Sequence, residues 1–188
     1  MTLTQYNTAT SIDGFIADEH NSLDWLFQVE THGGEDTQDR FKGFLADVGS
    51  LAMGSTTYQW VFDHEQLHED PSKWTAWYGD RPCWVFTHHE LPKVPGANIH
   101  FVQGDVAPVH DEMIEAAGGR NVWLVGGGDL VGQFADQGRL DEVIIGIAPV
   151  TLGRGAPLLP RRLTGELQLT GVQAVNNAFV ELRYSVKH

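Results

Sequence analysis

Cysteine is nearly absent: Cys83 stands alone, which excludes an intrachain disulfide and suits a reducing compartment. The paired cysteines that a zinc deaminase needs are missing as well. Positive charge is scarce. Only 12 Lys and Arg face 25 Asp and Glu, for a formal net charge of −13. A field of that sign repels nucleic acid and anionic membrane surfaces and leaves a small molecule as the expected partner. Any anionic ligand must then be held locally, by backbone amides and a few placed cations. No positively charged apolar leader opens the sequence, and no run of about 18 apolar residues occurs. The expectation is a cytoplasmic chain that does not cross a membrane.

With 188 residues, 41% of them hydrophobic, and no internal repeat, residues 1–188 read as a single domain. The stretch NVWLVGGGDLVGQFADQGRLDEVIIGI at 121–147 organises the rest. Val122, Trp123, Leu124 and Val125 form an apolar run stopped by Gly126, Gly127 and Gly128. Leu130, Val131 and Phe134 then recur at helical spacing up to Gly138, so the segment reads as strand, glycine turn and helix. Glycines at such a turn let the backbone approach a ligand, and the amides of the helix start favour an anion. A plain turn without a ligand is the alternative.

Along the chain, residues 3–10 read as a first strand and residues 14–24 as a loop able to close over a pocket. Residues 36–48 carry Phe41, Phe44, Leu45 and Val48 at spacings of three and four, the mark of an amphipathic helix. Residues 50–53 are a strand, followed by Gly54, Ser55, Thr56 and Thr57 and a helix that begins by Tyr58. This second strand-to-helix junction is rich in hydroxyls and amides, a pattern that ordinary N-capping also produces. Residues 64–81 read as a loop interrupted by Pro71, 83–87 and 98–102 as strands, 109–117 as a helix and 140–147 as a strand. Residues 149–160 form a Gly/Pro-rich loop, and 166–175 and 178–186 a hairpin turning at Asn176 and Asn177. Strands alternating with helices, then a closing antiparallel pair, predict an α/β fold with a mostly parallel central sheet, helices on both faces and an antiparallel C-terminal edge.

Three segments in this order resemble one family. VGGGDLVGQF at 125–134 is similar to the strand-glycine-helix signature of dihydrofolate reductases. AMGSTTY at 52–58 sits where those enzymes have a strand followed by Gly, Arg, x, Thr, and SIDGFIA at 11–17 with LDWL at 23–26 resembles their mobile loop and its Trp. SxDGFIA together with GRGAPLLP looks closer to the reductase domain of bifunctional riboflavin-biosynthesis enzymes and its stand-alone relatives.

The resemblance implies a dihydrofolate reductase-like, three-layer fold and an oxidoreductase whose cofactor is NADPH. It implies that Ala9 and Ile16 contact the nicotinamide carboxamide. Gly126, Gly127, Gly128, Asp129 and Leu130 bind the pyrophosphate through amides, with a cis bond between Gly126 and Gly127, and Val125 beside them belongs to the cofactor site. Gly54, Ser55, Thr56 and Thr57 add phosphate contacts, and Thr87 and His88 lie where the adenosine 2′-phosphate is recognised. Asp36 falls near the buried acid of folate reductases, with Glu35, Asp39 or a water as alternatives. Trp25 and Phe41 line a pocket for a flat heterocycle, although a lone Trp also serves to seal a core. Arg154 meets a substrate phosphate or is a surface residue in a turn. The implied activity is that of 5-amino-6-(5-phosphoribosylamino)uracil reductase in riboflavin biosynthesis, with dihydrofolate reductase or another pteridine or imine reductase as the alternative. Ser55 departs from the pattern, since arginine commonly clamps the 2′-phosphate there; His88, His89 and Lys93 are the local substitutes.

Two rivals come from other classes. His64, Glu65 and His68 spell H-E-x-x-H, a zincin pattern that needs a stable helix, yet Glu69, Asp70 and Pro71 stop one and no third ligand follows at a suitable spacing. No metal is therefore expected. A non-catalytic nucleotide-binding module is the other rival. Six tryptophans exceed the needs of one small core and suggest a covered edge or interface, hence a homodimer.

Overall fold

The computed structural model describes residues 1–33, 35–175 and 179–187, without the side chains of residues 30–33 and 35–38. In chain order the elements are β1 (Thr4–Thr10), β2 (Phe15–Ala17), α1 (Asp24–Gly33), α2 (Glu35–Ala46), β3 (Val48–Gly54), α3 (Ser55–His64), α4 (Ser72–Tyr78), β4 (Cys83–Phe86) and β5 (Ile99–Val102). Then come α5 (Val106–Ala117), β6 (Asn121–Gly126), α6 (Gly128–Asp136), β7 (Glu142–Ile147), β8 (Ala156–Pro157), β9 (Glu166–Val175) and β10 (Phe179–Lys187). The eight-stranded sheet runs β5-β4-β3-β6-β1-β7-β10-β9. Its first six strands are parallel, and β10 and β9 close it antiparallel. This is the expected mostly parallel sheet with an antiparallel edge.

Helices on both faces explain why β4 (CWVF) and β6 (NVWLVG) carry apolar side chains on both sides of the sheet. On β6, Val122 and Leu124 are buried with Met113 of α5 and Phe134 of α6. Trp123 and Val125 point the other way, into a second core with Tyr58, Phe62 and Trp74. A third cluster, Trp25, Val29, Ala148, Val175 and Phe179, seats α1 on the antiparallel side. Local signals set the boundaries. The Asp105 carboxylate accepts from the Ala107 amide at the start of α5, and Gly118, at φ 61°, ends it in the left-handed region.

Short elements depart from the sequence reading. Within residues 64–81, α4 buries Trp74 against Tyr58 and Tyr78. Pro71, read as an interruption, is instead its N-cap, a place where the missing N–H costs nothing. Within residues 14–24, Phe15–Ala17 is a strand paired with Ala156–Pro157, and Asp24 already opens α1. The turn expected at Asn176 and Asn177 lies outside the described residues.

Gly49, on β3, packs directly on the end of α5, where an added Cβ would stand 2.2 Å from the Ala117 carbonyl oxygen. Both partners are backbone and cannot rotate away. Gly49→Ala is expected to destabilise the fold by about 1–3 kcal/mol, read as a lower urea midpoint at unchanged slope.

Candidate functional site

Parallel strands β3, β4, β5 and β6 end on one edge of the sheet, and a cleft of about 330 Å³ opens just beyond them. This is where open α/β sheets place ligands. Its walls are the segments that follow each strand: Gly54, Ser55, Thr56 and Thr57; Thr87, His88 and His89; Gln103 and Gly104; Gly127, Asp129, Leu130 and Gln133. Two helices begin here. The N-caps of α3 and α6 are Gly54 and Gly127, and neither makes a side-chain capping bond. Ser and Thr thus fall within the first turn of α3 and do not cap it, contrary to the ordinary capping alternative. The two starts adjoin: a Cβ built on Gly54 would lie 3.8 Å from the Gly127 amide nitrogen. Uncapped amides and two positive dipole ends therefore meet over one opening, which suits a phosphate-bearing ligand.

The three glycines divide their work. The Gly126–Gly127 bond is cis, as the resemblance implied. Gly126 has φ 153°, a conformation essentially restricted to glycine. Gly127 has open space where a side chain would be, whereas a Cβ on Gly128 would stand 2.3 Å from the Leu158 carbonyl oxygen. The third glycine lets residues 158–160 pack on α6, a structural purpose beside any contact with ligand. Thr57 stands behind Gly126, with its hydroxyl 3.4 Å from the position of a Gly126 Cβ. Thr87 shapes the neighbouring turn: its Oγ1 accepts from the His89 amide and donates to the His89 carbonyl, both at 3.0 Å. His88 and His89 line the cleft, and among the described residues its lining contains no Arg or Lys.

The other expected residues lie elsewhere. Ala9 is on β1, beside Gly146 of β7, and Ile16 is on β2. Trp25, in the first turn of α1, is buried with Ala148 and Phe179, and its indole nitrogen has no hydrogen-bond partner among the described residues. Phe41 packs edge-on against Trp123, ring centroids 5.5 Å apart. Asp36 belongs to α2, but its side chain and that of Glu35 lie outside the described residues; Asp39 is exposed beside Lys42. Arg154 is exposed and pairs with Glu19 at 3.3 Å. The H-E-x-x-H pattern has no continuous helix, because α3 ends at His64 and Gln66 has φ 54°. His64 stacks on Trp60 and Phe27. Among the described residues, no group of three or more His, Cys, Asp or Glu is placed to hold a metal.

Several residues escaped the sequence reading. Gln103 and Gly104 were accessible through the rule that ligands sit beyond parallel strand ends. A polar cluster lies on the sheet face that carries Ala9: Glu181 pairs with Gly146, itself opposite Ala9. Arg40 and Arg183 each donate to Glu181 Oε1 at 2.9 Å. Burial pushes this carboxyl up, but the two arginines together outweigh burial and hold it below its ordinary value.

Asp13 was the other omission. It accepts from Ser11 Oγ at 2.6 Å and from the Leu152 and Gly153 amides at 3.1 and 2.7 Å. Ser11 Oγ in turn accepts from the Phe15 amide. SxDGF is thus a clip that fastens the end of β1 to the Gly/Pro-rich loop.

Residues 55–180 match the RibD C-terminal domain family. The chain belongs to that family. The YwjB protein of Bacillus subtilis, itself uncharacterized, is 32% identical over 178 residues, spanning 94% of this chain and 93% of the relative. A Shewanella sp. PV-4 protein assigned to riboflavin biosynthesis superposes with a TM-score of 0.78 at 25% identity, covering 99% of both chains. Dihydrofolate reductase from Enterococcus faecalis, complexed with NADP(H), gives 0.55 at 14% identity over 99% of this chain and 97% of that one. The fold is that of riboflavin-biosynthesis reductases and dihydrofolate reductase.

Hydrogen bonds from Ser11 and Gly153 bring the Asp13 carboxyl down to about 2 from an ordinary 3.8. Its folded-state pKa being depressed, its contribution to stability is full above 3.8 and is lost as pH falls toward 2. Asp13→Asn is expected to melt below the unaltered protein at pH 5. The gap should close by about pH 2 in thermal unfolding followed by circular dichroism.

Proposed function

We propose that the chain is an NADPH-dependent reductase of a small heterocyclic or imine-bearing substrate, of the 5-amino-6-(5-phosphoribosylamino)uracil reductase type. The observation that carries this reading is the meeting of two uncapped helix starts, at Gly54 and Gly127, over one cleft. Amides of Gly127, Gly128, Asp129 and Leu130 would hold the pyrophosphate, with hydroxyls of Ser55, Thr56 and Thr57 opposite. Thr87 and His88 would meet the adenosine end. Ala9, near the end of β1, and Ile16, on β2, would face the nicotinamide. When bound, NADPH supplies the hydride.

The chain's own part is to orient the reactants, exclude water and supply a proton. Trp25 and Phe41 would wall the substrate side. Asp36 on α2 remains the proposed proton source, by itself or through a water. Arg154 and, on the Ala9 face, Arg40 and Arg183 are the cations available to an anionic substrate group. Ser55 in place of arginine supports a second reading, a nucleotide-binding module without catalysis. The two readings part on NADPH consumption in the presence of substrate.

We also propose a homodimer. A β-bulge at Arg183 and Tyr184 puts Leu167 and Leu169 on the same face as Val172. These three and Val180 are 39, 52, 62 and 41% exposed. They continue the apolar row of Tyr184, Leu182 and Ile145 across the sheet, a surface suited to its own copy.

Gly127→Asp would set a carboxylate in the cleft without steric conflict, since nothing lies within 4 Å of a Cβ there. NADPH binding, followed by tryptophan quenching, is expected to weaken at least about tenfold, or roughly 1.4 kcal/mol, at an unchanged melting temperature. Failure of the unaltered protein to bind NADPH would overturn the reductase reading. In light scattering at micromolar concentration the protein should have dimer mass and Leu169→Asp/Val172→Asp monomer mass; a monomeric unaltered protein contradicts the dimer.

A further inference from the structure

Asp129 presents a difficulty for an anion site. It stands in the first turn of α6 and lines the cleft, so an unneutralised carboxylate there would repel the phosphates that the neighbouring amides attract. The fold answers with a residue from outside the cleft. Arg161 Nε donates to Asp129 Oδ1 at 2.6 Å, and its Nη1 donates to Asp136 Oδ2 at 3.1 Å. Gln133 Nε2 adds a bond to Asp129 Oδ2 at 2.9 Å.

Arg161 reaches this position because α6 is cut away beneath it. A Cβ on Gly132 would lie 2.5 Å from Arg161 Cδ and 2.9 Å from its Cβ, and one on Gly128 would lie 2.8 Å from Pro160 Cδ. Two glycines one helical turn apart thus seat the end of the GRGAPLLPR segment across α6, with the guanidinium placed between two carboxylates.

We propose that Arg161 is a positioning residue for dinucleotide binding. As a counter-ion it turns the Asp129 carboxylate aside and neutralises it, so that the α6 amides face the pyrophosphate of the cofactor unopposed. This rests on the nucleotide reading above. Arg161 does not touch the cofactor; it acts through Asp129. It also gives the segment between β8 and β9 a share in cofactor affinity.

The test is a double-mutant cycle on the full chain: Arg161→Met, Asp129→Asn and both together, with NADPH, ADP and adenosine as probes. Arg161→Met is expected to weaken NADPH and ADP about tenfold at low salt, to leave adenosine unchanged, and to lose most of this deficit at high salt. Asp129→Asn should tighten NADPH, and the double variant should recover the affinity that Arg161→Met loses. A merely structural arginine would give neither rescue nor salt dependence. If Arg161→Met fails to fold, Arg161→Lys and Asp129→Asn carry the test, the first expected to keep most of the affinity and the second to tighten it.

Unchanged NADPH affinity in folded Arg161→Met, or no rescue in the double variant, overturns the proposal. So does weakening by Asp129→Asn, which would make that carboxylate a direct ligand of the cofactor. Absence of NADPH binding by the unaltered protein instead removes the nucleotide reading, and this proposal with it.

Discussion

Two helices beginning side by side without side-chain caps constrain everything else in this molecule. Gly54 ends β3 and Gly127 follows the adjacent parallel strand β6, and neither can bond to the amides of its own helix. Those donors must find water or a ligand. Their closeness depends on the register of β3 against β6, which shifts between Ala52 and Met53 so that Met53 stands opposite Gly126. The sheet, packed on both faces, holds that register rigid.

Charge is the counterpart of this arrangement. In a chain of net charge −13, an anion is admitted only where the local field has been reversed. At the cleft two helix starts turn their positive ends inward, and among the described residues its lining has no Arg or Lys. Around it, Arg161 pairs with Asp129, Arg154 with Glu19, and Arg40 and Arg183 with Glu181. The clip made by Asp13 belongs to the same design, since it fastens the segment that ends in Arg161 to the first strand.

Much of this was legible in the sequence, and what was not has a common physical cause. The change from a continuous apolar run to helical spacing around Gly126, Gly127 and Gly128 announced β6 and α6, because glycine interrupts both periods where the chain turns. The parallel sheet and its antiparallel edge followed from element order. By contrast, α4 has seven residues, too few for a periodic stripe, and β2 and β8 have three and two and exist only by pairing across a long loop. The same limit hid the Arg161–Asp129 pair, 32 residues apart. Spacing along the chain carries no trace of contacts that topology creates. Gly128 read as a glycine that lets a ligand approach, whereas what its missing side chain admits is the Leu158 carbonyl.

The proposed dinucleotide site predicts which backbone amides NADPH contacts. Amide chemical shifts of 15N-labelled protein titrated with NADPH would report this residue by residue. The largest changes are expected at Ser55 and Thr56 on α3 and at Gly127, Gly128 and Asp129 on α6, with smaller ones at Thr87 and His88. Changes centred away from both helix starts, or none at saturating NADPH, would contradict it.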